Sequence, residues 1–425
     1  MRFNGFPIQK AKALLHSIQK KNDVEFENYF TQRKREIVTY HLKNNPFYKA
    51  FAGNIEIHDW NSIPVMTKLD LQVPLKERLS DGHTVKNSHI HKTSGSSGTP
   101  FYFAKDKFCH ALTWSIFEEW YNWYDLYNKK QARFYGIPKD LIPHKKERLK
   151  DFFANRYRFN VFDLSEKAFE GWIKKFSREE FFYITGYSTV IIAFANYLIS
   201  KKIVLNKICP TLKACLPTSE MYFENDKQLM NQAFGVPIIN EYGAAEFGLI
   251  ALENPQQQWE LNKLNLFVEV LDEQNNPLPY GRDGKLVITD LYNKAHPFIR
   301  YEIGDIGKIN KLEDGQLILE KLIGRKEDYV KLPSGKTAPG LSFYYVTKSV
   351  MQDDGNVKEI KVVQSALDTF EIQYVANIDL NNEQKARICN ALLDYLEPNL
   401  TVLFTRHLEL NRNNRGKLKQ FTSLI

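Results

Sequence analysis

An α/β chain with a large N-terminal domain of helix-flanked sheets and a small C-terminal α+β domain is the fold class that three features of the sequence predict. Between residues 174 and 249, apolar segments alternate with glycine and proline breaks at the spacing of strands and helices. From about residue 262 the pattern turns to strands joined by turn-rich loops, which marks a β-rich subdomain. The final stretch of about 100 residues reads strand, strand, helix, strand, the length of a small α+β domain. With 425 residues, 43% of them hydrophobic, the chain is long enough to bury a large core in two or three domains.

Residues 1–23 read as a short charged amphipathic helix with Leu14, Leu15 and Ile18 on one side. A second helix is expected over 26–42, from the spacing of Phe26, Tyr29, Phe30, Ile37 and Tyr40. It ends before Asn44-Asn45-Pro46, where the prolyl ring disfavours helix in the preceding residue. Residues 108–126 form a third, whose stripe of Trp114, Phe117, Trp120 and Trp123 reads as core. Strands are expected at 266–271, 285–291 and 317–322, with turns at Asn275-Asn276-Pro277 and Gly281-Arg282-Asp283-Gly284. Beyond Gly324-Arg325-Lys326-Glu327-Asp328 come strands at 357–364 and 370–375, a helix at 382–396 and a strand at 401–408. No internal repeat is visible. The expected domains are a helical entry region 1–90, a core 91–326 that includes the β-rich part, and a small lid domain 327–425.

Composition narrows the function classes. The net charge of +8 favours anionic ligands, but the lysines are interspersed with acids, and no zinc finger, homeodomain or RNA-recognition signature accompanies them. Nucleic acid is therefore not the expected partner. Cys109, Cys209, Cys215 and Cys389 are scattered without a Cys-x-x-Cys pair and read as reduced core thiols. The apolar run at 190–199 is far short of the roughly 20 residues that span a bilayer, and the start lacks a signal-peptide core. A cytoplasmic protein without membrane insertion is expected.

Small, hydroxylated and flexible residues concentrate at Thr93-Ser94-Gly95-Ser96-Ser97-Gly98-Thr99-Pro100. Glycine lets backbone N–H groups turn inward, and serine and threonine add hydroxyl donors that follow the oxygens of a polyphosphate. The same composition suits a flexible linker. A linker rarely runs into a segment such as Pro100-Phe101-Tyr102-Phe103, whose β character demands burial. No lysine follows Gly98, so the loop is not of Walker type.

Four more segments accompany it: Glu241-Tyr242-Gly243-Ala244-Ala245-Glu246, Arg300-Tyr301-Glu302-Ile303-Gly304-Asp305, Gly324-Arg325-Lys326-Glu327-Asp328 and Asn414-Arg415-Gly416-Lys417. In this order and spacing the five resemble the adenylate-forming superfamily of acyl-CoA synthetases, firefly luciferase and peptide-synthetase adenylation domains. Pro46-Phe47-Tyr48, Ile63-Pro64-Val65-Met66-Thr67-Lys68 and residues 242–249 look like its phenylacetate-CoA ligase and CapK-like branch.

The resemblance implies an ATP-dependent, AMP-forming carboxylate ligase that makes an acyl-adenylate and then passes the acyl group to an acceptor. Thr93, Ser94, Gly95, Ser96, Ser97, Gly98 and Thr99 would hold the phosphates of ATP. Glu246 would hold magnesium, which prefers hard carboxylate oxygen, although alone it also reads as a surface carboxylate. Ser219, Glu220, Asn240, Glu241, Tyr242 and Gly243 match positions near adenine. Asp305 matches an acceptor for both ribose hydroxyls, a task that suits an acceptor-only carboxylate, and Arg325 adds a guanidinium contact. An aspartate after glycine is also common in plain turns. Glu327 falls at the hinge position, and Lys417 matches the lysine that bridges carboxylate and α-phosphate, a position otherwise typical of a solubilising tail residue. Phe134-Tyr135-Gly136, Tyr187 and Pro217-Thr218 align with the carboxylate pocket, although core packing explains the same aromatics equally well.

Two departures from the branch stand out. Where many members carry zinc-binding cysteines, this chain has Leu252-Glu253-Asn254-Pro255 and Ile318-Leu319-Glu320-Lys321, so no zinc is expected; and Arg415 precedes Gly416-Lys417 where a small residue is usual. The expected substrates are ATP, a small carboxylic acid and an acyl acceptor, coenzyme A first among them. An amine, an amino sugar of surface polysaccharide synthesis or a carrier protein is the alternative acceptor. A non-catalytic nucleotide-binding scaffold is the remaining alternative.

Overall fold

The computed structural model describes residues 5–92, 101–136, 141–325, 329–335, 337–339, 356–411, 418 and 421–425, with side chains omitted at 141–146, 325, 329, 337–339, 358 and 394–395. The chain forms two compact units, Met1–Lys129 with Ile239–Leu322 and Lys130–Ile238 with Ile323–Ile425.

Along the chain, α1 (Ile8–Gln19) buries Ala11, Leu15 and Ile18, one face of a 3.6-residue period, and leaves Leu14 half-buried. α2 (Asp23–Asn44) starts three residues before the expected Phe26. Asn22 Oδ1 accepts from the Glu25 amide at 3.0 Å and Glu25 returns a carboxylate to the Asn22 amide at 3.1 Å, a capping box that satisfies two orphan donors. Pro46 opens α3 (Pro46–Ala52), where Asn45 caps the Tyr48 amide and Tyr48 is fully buried. After the short α4 (Leu75–Arg78), β1 (His89–Lys92) and β2 (Tyr102–Lys105) pair antiparallel, Lys92 facing Tyr102, so residues 93–101 join the two strands.

α5 (Lys107–Tyr121) corrects the expected aromatic core stripe. Cys109, Leu112, Thr113, Ile116 and Trp120 form its buried face, whereas Trp114 is 44% exposed and Phe117 half-buried. Three- and four-residue steps from Cys109 reach Trp120 but leave Trp114 and Phe117 on another face of the helix.

In the second unit, β3 (Gln131–Phe134), α6 (Leu141–Phe153), β4 (Arg156–Arg158), α7 (Glu166–Phe176), β5 (Tyr183–Tyr187), α8 (Ser188–Ser200), α9 (Leu205–Ile208), β6 (Ala214–Thr218) and α10 (Glu224–Phe234) build a parallel sheet of order β4-β3-β5-β6. One face packs on an aromatic core: the Phe134 and Phe159 rings stack at 4.7 Å, with Trp172, Phe176 and Phe194 around them.

The chain then contributes β7 (Glu241–Ala244), β8 (Gly248–Glu253), β9 (Trp259–Leu261), β10 (Leu266–Leu271), β11 (Asp283–Asp290), β12 (Tyr301–Lys311) and β13 (Leu317–Arg325), a seven-stranded sheet of order β10-β11-β12-β13-β9-β8-β7. The strands expected at 266–271, 285–291 and 317–322 are β10, β11 and β13. The C-terminal part holds the β14 (Tyr329–Lys331) and β15 (Thr337–Pro339) hairpin. A sheet of order β18-β17-β16-β19 follows, formed by β16 (Val357–Ala366), β17 (Thr369–Ala376), β18 (Thr401–His407) and β19 (Phe421–Ser423), with α11 (Asn382–Tyr395) preceding β18. Phe370, Ile372, Tyr374, Ile388 and Leu392 fill its core.

Candidate active site

Asn240, Glu241, Tyr242 and Gly243 lie on or next to β7, and each is fixed by a partner from elsewhere in the first unit. The Asn240 amide donates to Glu253 Oε2 at 3.0 Å, and its side-chain amide donates to the same oxygen. Tyr121, at the end of α5, donates its hydroxyl to Glu241. Tyr242, only 7% exposed, donates its hydroxyl to Asp305 Oδ2 at 2.6 Å. At Gly243 a Cβ would lie 2.6 Å from the carbonyl oxygen of Gly248, so the close approach of β7 and β8 requires glycine there.

The bond between Tyr242 and Asp305 depends on the shape of the sheet. β7 and β12 stand four places apart in the strand order. In a flat sheet that is roughly 19 Å, farther than a tyrosine and an aspartate reach together. The sheet therefore curls to bring its edge strand against β12. Register shifts accompany the curl. One falls between Tyr242 and Gly243. On β12, the step from Glu302 to Ile306 faces only the step from Val287 to Lys285, so the strand bulges at Ile303-Gly304-Asp305, with Gly304 at φ +86°. The bulge re-aims Asp305, which is 8% exposed.

The segment carrying Asp305 is held from behind by the other branch-specific motif. The Met66 amide donates to Arg300 O at 2.9 Å, the Glu302 amide donates to Met66 O at 2.8 Å, and the buried Arg300 guanidinium donates to Ile63 O at 2.7 Å. The Ile63-Pro64-Val65-Met66 run thus acts as a brace for β12. Glu246 sits in the turn that closes β7 onto β8, 8% exposed. Its carboxylate is a hard oxygen donor, the chemistry that a magnesium ion completed by phosphate and water takes, so the residue fits the expected ion. Among the described residues, no group of three His, Cys, Asp or Glu side chains is arranged to hold a metal by itself.

Ser219 and Glu220 belong to the second unit. Ser219 adopts φ +70° just after β6, and Glu220 accepts from the amide and hydroxyl of Thr189 at 2.9 and 2.7 Å, capping the start of α8. Of the aromatics aligned with the carboxylate pocket, Phe134 and Tyr187 belong to the buried core and Tyr135 packs against it. Tyr135 and Tyr187 meet edge-on at 4.9 Å where β3 and β5 end. Thr93, Ser94, Gly95, Ser96, Ser97, Gly98 and Thr99, as well as Glu327 and Lys417, lie outside the described residues, as does the side chain of Arg325 at the end of β13.

Sequence reading missed Tyr121 and Glu253 as positioning residues. Tyr121 closes the same helix as the tryptophan stripe, and Glu253 lies in a stretch noted only for its lack of cysteines; neither carried a signal that paired it with β7.

The fold is that of the adenylate-forming ligases. It matches 2-hydroxyisobutyryl-CoA ligase in its postadenylation state over 94% of this chain and 90% of that one, with TM-score 0.72 at 15% identity. It also matches the amide bond synthetase McbA from Marinactinospora thermotolerans over 79% and 69%, with TM-score 0.53 at 14% identity. A large N-terminal α/β domain with a small α+β domain after it is thus the architecture, in agreement with the motif resemblance. In sequence, the chain is 23% identical over 367 residues to Protein CapK of Staphylococcus aureus, covering 82% of this chain and 78% of that protein. No protein-family model matches.

Proposed function

We propose that the protein is an ATP-dependent, AMP-forming carboxylate ligase. What carries the reading is the hydrogen-bonded pair of Tyr242 and Asp305 on a curled sheet whose fold is shared with a CoA ligase captured with an acyl-adenylate.

In the first half-reaction a carboxylate oxygen bonds to the α-phosphorus of ATP as the bond to the bridging oxygen of pyrophosphate breaks. Two anions must approach in line, so positioning and charge screening carry the catalysis. Asp305 would accept from the ribose hydroxyls, since a carboxylate has only acceptor sites. Tyr242 occupies one of its oxygens and so sets the direction of the other. Glu246 would hold a magnesium ion, whose charge lowers the repulsion between the reacting anions. The loop from Thr93 to Thr99 would grip the β- and γ-phosphates, Arg325 would add a nucleotide contact, and Lys417 would bridge the carboxylate and the α-phosphate. Glu327 is proposed as the hinge of a C-terminal lid of residues 327–425.

In the second half-reaction an acceptor takes the acyl group and AMP leaves. Coenzyme A is the first acceptor proposed, since 2-hydroxyisobutyryl-CoA ligase shares the fold over most of the chain. The sequence likeness to CapK and the fold shared with an amide bond synthetase support an amine or amino sugar as the second.

Carboxylate-dependent exchange of labelled pyrophosphate into ATP tests the first step. It should vanish in Lys417→Ala and fall by about a hundredfold or more in Glu246→Gln, the scale for losing one preorganised electrostatic contact. No exchange across a broad panel of carboxylates would favour the scaffold. Supplying coenzyme A, amines and amino sugars and weighing the conjugate identifies the acceptor.

A further inference from the structure

The C-terminal turn of α6 carries three large apolar side chains on the outside of the protein: Leu149 is 58%, Phe152 77% and Phe153 79% exposed. The two phenylalanine rings pack edge-on at 5.6 Å, so they form one patch instead of scattered single residues. Lone exposed apolar residues need no explanation, but this cluster does.

Charge around the patch is one-sided. α6 contains four cations, Lys145, Lys146, Arg148 and Lys150, against two acids, Glu147 and Asp151. Both acids are engaged by β4. Asp151, 2% exposed, receives two bonds of 3.0 Å from the Arg158 guanidinium and one from Arg156, and Glu147 pairs with Arg158 at 3.2 Å. Lys150, with its side chain 54% exposed, lies between Leu149 and Phe152 in the chain and pairs with Glu147 at 2.6 Å. Both acids of α6 are thus occupied by cations of α6 and β4, whose formal positive charge exceeds theirs, on the helix that carries the exposed rings.

We propose that this face of α6 seats the protein on an anionic membrane surface. Aromatic and aliphatic side chains entering the headgroup boundary, with lysine and arginine at the level of the phosphates, are the arrangement of helices that lie in a bilayer interface. The chain's net charge of +8 adds attraction. A second copy fits less well. A two-fold contact would set the same cations face to face, and three side chains supply far less than the roughly 800 Å² per partner of a stable interface. The seat is superficial, for among the described residues no helix is long and apolar enough to cross a membrane.

Co-sedimentation of the full chain with vesicles tests this, using phosphatidylcholine alone and phosphatidylcholine with about one-third phosphatidylglycerol. Binding is expected only to the anionic vesicles. The double variant Phe152→Ser/Phe153→Ser should reduce it about tenfold or more, with an unchanged melting temperature because both rings are already in solvent. Lys150→Glu should also weaken it, as should salt near 1 M, where the screening length falls to about 3 Å. Equal binding by the double variant, equal binding to both vesicle types, or loss of a dimer in that variant by light scattering would each overturn the proposal. Pyrophosphate exchange is a separate readout, so failure here leaves the ligase reading untouched.

Discussion

Replacing Tyr242 by phenylalanine removes one oxygen and leaves the ring in place, so it isolates the contact that holds Asp305. The bond is 2.6 Å long and both residues are less than a tenth exposed, so water cannot readily replace the lost donor. Hydrogen bonds to an ionised acceptor contribute about 1.5–3 kcal/mol. If Asp305 needs that bond to face the ribose, the loss translates into a fall of about 10- to 150-fold in kcat/KM for ATP. The assay is carboxylate-dependent pyrophosphate exchange with ATP varied, run on Tyr242→Phe, Asp305→Asn and the double variant. In Asp305→Asn the charge-assisted bond is already lost, so the second change should add little. The cycle should show coupling of at least about 1 kcal/mol. Additive effects within about 0.3 kcal/mol would refute the idea that Tyr242 acts through Asp305. An undiminished kcat/KM for ATP in Tyr242→Phe would remove the pair from the mechanism.

Two further outcomes concern the framework of the site. His41 is fully buried, donating from Nε2 to Asn293 O at 2.9 Å and accepting at Nδ1 from Ser80 at 3.2 Å, and burial lowers its pKa from the ordinary 6.5 to about 4. As pH falls, the unfolded chain takes up that proton near 6.5 while the folded protein resists until about 4. Stability should therefore drop through this window by up to about 3 kcal/mol. His296, buried beside Arg78, is lowered for the same reason and acts in the same direction. Urea unfolding from pH 7 to 4.5 measures the slope, which should flatten in His41→Asn; an unchanged slope would show that His41 does not set it. Gly243→Ala places a methyl 2.6 Å from the backbone oxygen of Gly248, which cannot move aside without opening the β7–β8 pair. A loss of about 1–3 kcal/mol is expected in thermal melts, together with reduced exchange because Glu246 rides on that hairpin; full stability in this variant would mean that the close approach is relieved at no cost.

How much of this was legible in the amino-acid sequence depended on how local the determinant is. The strand 266–271, the helix from Asn382 and the strand from Thr401 lie where period and turn residues put them, because alternation and capping are written within a few residues. α2 began earlier than its apolar spacing suggested, yet the Asn22 and Glu25 capping pair was present to be read. β19 escaped notice. It is three residues long and exists only because it lies parallel to β16, more than fifty residues upstream. Short strands of that kind draw their stability from a partner that periodicity cannot reveal.

The same division runs through the candidate site. The motifs around Tyr242, Glu246 and Asp305, in their order along the chain with the other segments, sufficed to suggest a nucleotide-handling ligase through their resemblance to a known family. Their arrangement in space arises from long-range packing. Tyr242 meets Asp305 across four strand places only because the sheet curls, β12 bulges at Gly304, and the Ile63-Pro64-Val65-Met66 run braces it from more than two hundred residues away. Curl and brace are properties of strands packed together, each held by hydrogen bonds whose partners are chosen by the whole fold, and so they enter the protein's chemistry only once it has folded.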